Sequence, residues 1–230
     1  RLLGVLSASC ISFALNATMA LNIALQGLAL PGSTLVTTMA SHNSVLRPLF
    51  RLRDELGCTV NIAPMNPDGS LDFVAYEHLL AEGGVCYVAA THASNLTGDV
   101  YDAARMAALA HKYGALFILD AAQTAGAIPL SQQEVGADVV CFTGHKSLFG
   151  PQGTGGLCVL PSLDIPPLVE GGSGTYTFEE RHPRFMPEAL EAGTVNAHGL
   201  AGLAAGTGFI ESLGVGAIHK KVKSLTLAFE

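Results

Sequence analysis

The sequence predicts an α/β protein, a three-layer α/β/α domain built on a mostly parallel seven-stranded sheet. Two observations carry this prediction. Seven short apolar runs of strand length lie at about 10–15, 34–39, 58–64, 85–91, 116–120, 139–143 and 155–160. Helical patterns fill most of the gaps between them, and strand–helix alternation implies a parallel sheet covered on both faces.

The elements follow in order. Ala17 to Leu28 alternates small and large apolar residues, as a packed helix does. Val45 to Leu56 is a helix carrying Arg, Asp and Glu on one face. Leu71 to Glu82 follows the turn Asn66-Pro67-Asp68-Gly69. Asp102 to Tyr113 is a helix stopped by Gly114, a natural C′ residue. The run 155–160 follows 139–143 with little room for a crossover helix, so it is expected to be antiparallel. From about 161 to 195 the chain is rich in Pro and Gly and reads as extended loop. Asn196 to Leu213 is a helix rich in Gly and Ala, suited to close packing. Arg1-Leu2-Leu3-Gly4 reads as the last turn of a helix with its glycine cap, and Ala217 to Glu230 as a helix in progress. The expectation is a fragment of a longer chain.

Composition narrows the function classes. The 230 residues suffice for one large domain with a core. Hydrophobic residues make up 49% and charged residues 13%, so much of the surface is expected to be buried, against a core or a partner chain. A net charge of −7 argues against a nucleic-acid groove. The apolar stretch from Gly199 to Ile210 is too short to span a bilayer, and Glu211 follows it, so no membrane partner is expected. Cys10, Cys58, Cys86, Cys141 and Cys158 lack CxxC or metal-ligand spacing. They read as reduced core cysteines of a cytoplasmic protein, with no metal site.

The chemistry concentrates at the ends of the apolar runs. Asp120 closes Leu116-Phe117-Ile118-Leu119, and Thr143-Gly144-His145-Lys146 closes Val139-Val140-Cys141-Phe142. Ligands of open α/β sheets collect at such carboxyl ends. A carboxylate and a lysine at neighbouring strand ends suit pyridoxal 5′-phosphate: the lysine forms the Schiff base and the carboxylate pairs with the pyridinium nitrogen. An acid at the end of an apolar run needs a cationic or donor partner; a structural salt bridge or a metal-binding Asp is the competing reading. Gln123 could reach the same ligand, and Ala122 is small enough for a flat ring to pack against. Thr143 and His145 can donate to a phosphate, and an enclosed site would lower the pKa of Lys146 for attack on a carbonyl; a surface lysine starting a turn is the plainer reading. Asn16-Ala17-Thr18 opens the first helix, whose free N–H groups and dipole favour a phosphate, although Asn or Thr there is usually just a cap. His42, just past the second run, could lie flat on a ring or could simply cap a helix. Asn95 could donate to a phenolic oxygen or could simply form the turn before Gly98.

Taken together these residues resemble the cysteine desulfurase branch of the class V aminotransferases, which are fold-type I pyridoxal phosphate enzymes. The stretches that carry the resemblance are Asn-Ala-Thr-Met-Ala-Leu-Asn (16–22), His-Asn-Ser-Val-Leu-Arg-Pro-Leu (42–49), Ser-Asn-Leu-Thr-Gly (94–98), Leu-Asp-Ala-Ala-Gln (119–123), Thr-Gly-His-Lys (143–146), Gly-Pro-Gln-Gly-Thr-Gly-Gly-Leu (150–157) and Glu-Ala-Gly-Thr (191–194). They occur in the family's order over nearly the whole chain. The resemblance implies that Lys146 is the Schiff-base lysine, Asp120 the pyridine-nitrogen partner, and His42 the histidine stacked on the ring. It implies that Asn95 and Gln123 lie near the ring hydroxyl and that Thr18, Thr143 and His145 hold the phosphate. Ala17 and Ala122 complete the expected cofactor-binding set. Thr194 matches a threonine that reaches the phosphate of a neighbouring subunit, so a homodimer is implied. Two positions depart from the family pattern: Ser41 stands where an acid often precedes the histidine, and Met19 where Glu is frequent.

The expected organisation is therefore a pyridoxal-phosphate-binding large domain over 1–213 that lacks its N-terminal segment, with 214–230 starting a helix that leads to a small C-terminal domain outside this chain. The expected activity is cysteine desulfuration, giving alanine from L-cysteine, with His42, Asp120 and Lys146 as catalytic residues. A persulfide-forming cysteine and a substrate-binding arginine would come from the absent part, and a sulfur-acceptor protein is a possible further partner. A class V aminotransferase or selenocysteine lyase on the same scaffold is the alternative, and a non-catalytic cofactor-binding or dimerisation fragment is the alternative of another class. A Rossmann nucleotide-binding domain is disfavoured, since no GxGxxG follows the first strand.

Overall fold

The structure, a computed structural model, describes residues 2–229. Arg1, part of the expected first turn, and Glu230, last of the expected final helix, lie outside the described residues. Seven strands form one sheet: β1 Ile11–Ala14, β2 Thr34–Thr38, β3 Thr59–Ala63, β4 Val85–Thr91, β5 Leu116–Asp120, β6 Val139–Thr143 and β7 Gly155–Val159. Their spatial order is β1-β7-β6-β5-β4-β2-β3. Strands β2 to β6 are mutually parallel, and β7 runs antiparallel to both β6 and β1. Six strands therefore point one way and their carboxyl ends share one rim. The antiparallel β7 agrees with the short connection that precedes it.

The helices are α1 Ala17–Leu28, α2 Asn43–Leu56, α3 Phe73–Ala81, α4 Ala103–Lys112, α5 Gln132–Val135, α6 Ala197–Leu213 and α7 Val215–Phe229. Most are the expected ones, with starts set by capping side chains. Asn16 Oδ1 accepts from Met19 N, Asp72 Oδ1 from Val74 N and Ala75 N, and Asp102 Oδ1 from Arg105 N. The single turn α5 is unanticipated, because four residues are too few to show a helical period. The first strand starts one residue later than expected, since Ala8–Cys10 forms a 3-10 turn capped by Ser7.

Alternate strand residues face opposite layers. Val88, Phe117, Leu119 and Val140 pack with Tyr76, Leu80, Met106 and Leu203 in one core. Tyr87, Ile118, Cys141 and Leu157 pack with Leu21, Leu25 and Leu49 in the other. Each fully buried side chain of this kind contributes roughly 1.5–3 kcal/mol. The buried phenols keep a partner: Tyr76 donates to Met106 O and Tyr87 to Leu25 O, both at 3.0 Å. By this alternation Asp120 faces the same side as Ile118, the side covered by α1.

Glycines on β7 let α1 begin close to the sheet. A Cβ on Gly155 would sit 2.6 Å from Asn16 Cα and 2.8 Å from Phe142 O, both backbone atoms. Gly155→Ala is therefore expected to cost about 1–3 kcal/mol of stability by overpacking, read as a lowered denaturant midpoint. An unchanged midpoint would show that α1 does not start in this tight position.

All five cysteines are free, and all but Cys86 are buried. Among the described residues no cluster of metal-ligating side chains exists. No single helix among them is long and apolar enough to cross a membrane.

Candidate functional site

A pocket of about 190 Å³ opens at the carboxyl rim of the parallel strands, against the start of α1. Its walls include ten of the eleven residues that the sequence marks for a cofactor: Ala17, Thr18, His42, Asn95, Asp120, Ala122, Gln123, Thr143, His145 and Lys146. The chain brings them together from the carboxyl ends of five strands, β1, β2, β4, β5 and β6. Thr194 is apart from them. It is exposed and lines a larger, mostly apolar cavity of about 340 Å³ with Phe13, Leu15 and Met19.

Asp120 is the chemical centre. It ends β5, is only 4% exposed, and stands in register with Thr91 of β4 and Cys141 of β6. One carboxylate oxygen accepts from Ala122 N at 3.0 Å. The other has no hydrogen-bond partner among the described residues. Burial pushes this carboxyl above the ordinary carboxylate range, against the pull of the Ala122 N–H and, more weakly, of the His42 and Lys146 charges. A buried acid with a free oxygen facing a cavity suits a cationic donor that enters from outside.

The rim opposite is a set of donors. Asn16 satisfies the N–H of Met19, which leaves the Ala17 and Thr18 N–H groups at the helix mouth for an anion. Thr18 Oγ1 and Ser44 Oγ lie 2.8 Å apart, and Ser44 Oγ is 2.9 Å from His42 Nδ1. Ser44 N donates to His42 Nδ1 at 3.1 Å, so a neutral ring carries its proton at Nε2. His42 is thus both the cap of α2 and a pocket wall. Asn16 likewise caps α1 and lines the pocket, and Asn95, another wall, sits exposed in the turn closed by Gly98 N to Ser94 O. Thr143 Oγ1 and His145 Nδ1 are 3.0 Å apart.

Lys146 follows in a tight loop. Phe149 N donates to Lys146 O at 3.0 Å and Gly150 N to Gly144 O at 2.8 Å, with Phe149 in the left-handed region at φ 55°. A non-glycine residue held there costs of order 1–3 kcal/mol and persists only where its surroundings enforce it. The Lys146 side chain is exposed and makes no hydrogen bond or ion pair among the described residues. The enclosure expected of it is not found among the described residues, whose walls leave the side chain exposed.

Sequence reasoning missed Thr91, Ala93, Leu21 and Ser44, which also line the pocket. Thr91 carried a readable signal, being the last residue of a strand-like run. Ser44 carried none, because its role depends on α1 and α2 lying side by side. Together the walls offer an acid for a cation, helix-mouth donors for an anion and an amine for a carbonyl. That combination fits pyridoxal phosphate.

The sequence and the fold are similar to those of known proteins. A probable cysteine desulfurase of Pyrococcus abyssi (strain GE5 / Orsay) is 33% identical over 225 residues, covering 94% of this chain and 55% of that protein. The apo structure of a cysteine desulfurase from Thermococcus onnurineus NA1 superposes with a TM-score of 0.88 at 32% identity, over 95% of this chain and 56% of that one. Cysteine desulfurase CsdA (S-sulfonic acid) of Escherichia coli gives 0.83 at 27% identity, over 92% of this chain and 55% of that one. The chain spans about half the length of the curated relatives it matches. The family model for aminotransferase class-V matches residues 1–229, and the chain belongs to that family.

Proposed function

We propose that this chain is the pyridoxal-phosphate-binding domain of an enzyme acting on an amino acid, whose reaction is the removal of sulfur from L-cysteine to give alanine. The single observation that carries the reading is the buried Asp120 with a free oxygen toward a pocket that also holds one lysine and a helix mouth. When bound, the cofactor supplies an aldehyde that captures amines and a ring that withdraws electrons.

The protein's own groups then divide the work. Asp120 would hold a proton on the ring nitrogen. The Ala17 and Thr18 N–H groups, with the hydroxyls of Thr18 and Thr143 and the imidazole of His145, would bind the phosphate. Asn95 and Gln123 would orient the ring through its hydroxyl, Ala122 would leave room for its face, and His42 would cover it. Lys146 Nζ would carry the cofactor and, once released by the substrate amine, take and return a proton. No cysteine lines the pocket. Burial raises the thiols of Cys86, Cys141 and Cys158, the last to about 12, which keeps them protonated and poor nucleophiles. The sulfur-accepting thiol would therefore be supplied by another part of the full protein, before transfer to an acceptor protein.

Thr194, exposed and outside the pocket, supports a homodimer in which it reaches the phosphate of a second copy. Five free cysteines support a reducing compartment, the cytoplasm. We take residues 1–213 as the large domain and the helix after 214 as the way to a smaller one.

The test is a titration of the purified protein with pyridoxal phosphate, followed by borohydride reduction and mapping of the labelled peptide. A visible band with the label on Lys146 is the expected result, and a folded protein with no band rules the reading out. Turnover then separates the reactions. Alanine from L-cysteine, with its sulfur carried as a persulfide and released as sulfide once a thiol reductant is added, marks desulfuration, amino transfer to a keto acid marks an aminotransferase, and action on selenocysteine alone marks a lyase. A dimer by size-exclusion mass with no turnover marks a non-catalytic fragment.

A further inference from the structure

Edge strand β1 leads directly into the helix mouth, with Ala14 ending the strand and Asn16 capping α1. Only one side of β1 is paired with another strand, β7. On its open side Phe13 N donates to Glu191 Oε1 at 2.6 Å, across 178 residues of sequence. Glu191 is not among the residues that line the pocket.

The segment that carries Glu191 is itself anchored. Ala189 and Leu190 are buried in the α1-side core with Leu25 and Leu157. His182, also buried, donates from Nε2 to Glu188 O at 3.0 Å while its Nδ1 contacts Gly171. Gly193 N donates to Gly172 O at 2.7 Å. A carboxyl held on such a base fixes the strand it grips. On the other side Gly155 of β7 approaches Asn16 so closely that a Cβ would not fit. The backbone from Phe13 to Asn16 is therefore clamped between β7 and Glu191.

We propose that Glu191 is a positioning residue for the phosphate cradle: its carboxyl pins Phe13, and through it holds the Ala17 and Thr18 N–H groups at the place where a phosphate monoester binds. The inference rests on the pyridoxal phosphate reading of the pocket. An acceptor is what the clamp needs, so the side chain's length matters more than its charge. Glu191→Gln keeps the acceptor, Glu191→Asp keeps the charge and shortens the reach, and Glu191→Ala removes both.

The experiment uses the full-length protein with these three variants and two readouts. The first is amide exchange of the segment Phe13 to Thr18 without cofactor. Exchange is expected to be faster by about tenfold in the Ala and Asp variants and unchanged in the Gln variant. The second compares affinity for pyridoxal phosphate with that for pyridoxal, which lacks the phosphate. The Ala and Asp variants are expected to lose about tenfold for the phosphorylated ligand only, with the Gln variant like wild type. Equal losses for both ligands, a Gln variant as weak as Ala, or unaltered exchange would each overturn the proposal. Should Glu191→Ala not fold, the Asp and Gln pair decides it. A wild-type protein that takes up neither ligand overturns the functional reading instead, and the exchange data still judge the clamp.

Discussion

Lys146→Ala is expected to abolish covalent retention of pyridoxal phosphate and to lower turnover by at least 10²–10⁴-fold, roughly the range for losing a positioned general acid–base. The chain has five lysines, and the other four are placed elsewhere. Lys112 pairs with Glu77 at 2.6 Å on the surface, and Lys220, Lys221 and Lys223 lie on α7. Only Lys146 lines the pocket. Borohydride labelling should therefore mark Lys146 in the wild type and no lysine in the variant. A visible band that survives the substitution, or a label on Lys112, would end the assignment. Folding should be intact, since the side chain is exposed and makes no hydrogen bond among the described residues.

Asp120→Asn is expected to change two properties in opposite directions. Cofactor affinity should fall on the order of tenfold to a hundredfold, because the amide cannot form a charge-assisted bond to a protonated ring nitrogen. The cofactor-free protein should gain stability, by about 1–3 kcal/mol at neutral pH, because an ionised carboxylate with an unpaired oxygen is no longer buried. The pH dependence follows from the direction of the shift. Burial raises the Asp120 pKa above the ordinary 3.8, so the folded chain binds this proton more tightly than the unfolded chain does. Stability then falls as pH rises from the ordinary value through the raised one. The advantage of the Asn variant should be absent in strong acid and should grow across that window. Melting curves over pH, with and without pyridoxal phosphate, measure both effects. A variant less stable than wild type at neutral pH would show that Asp120 has a cationic partner within the protein.

Two features of the site carry an energetic cost. Phe149 is held at positive φ beside Lys146, and Asp120 is buried with no ion pair among the described residues. Each raises the energy of the protein. Elsewhere the chain obeys ordinary rules: buried phenols are bonded, helices are capped, and the sheet alternates its apolar residues between two cores.

Local chemistry made most of this legible from the sequence alone. Apolar runs of strand length are forced to bury both faces, so the sheet, its mostly parallel sense and the antiparallel β7 could be read from run length and connection length. A carboxylate at the end of such a run cannot be ordinary, which marked Asp120, and the chemistry-bearing residues beside the other run ends marked the rest of the pocket. The four-residue α5 and the 3-10 turn before β1 escaped notice because neither is long enough to show a period. Relations between residues distant in sequence were decided by tertiary structure. It set Ser44 between Thr18 and His42 because α1 and α2 pack side by side, and it left Lys146 open because no described segment covers it. It also brought Glu191 to the edge of β1 across 178 residues. The physical reason is range: burial preference, capping and turn chemistry act within a few residues and are written in local pattern, whereas which surfaces meet depends on the shape of the whole packed chain.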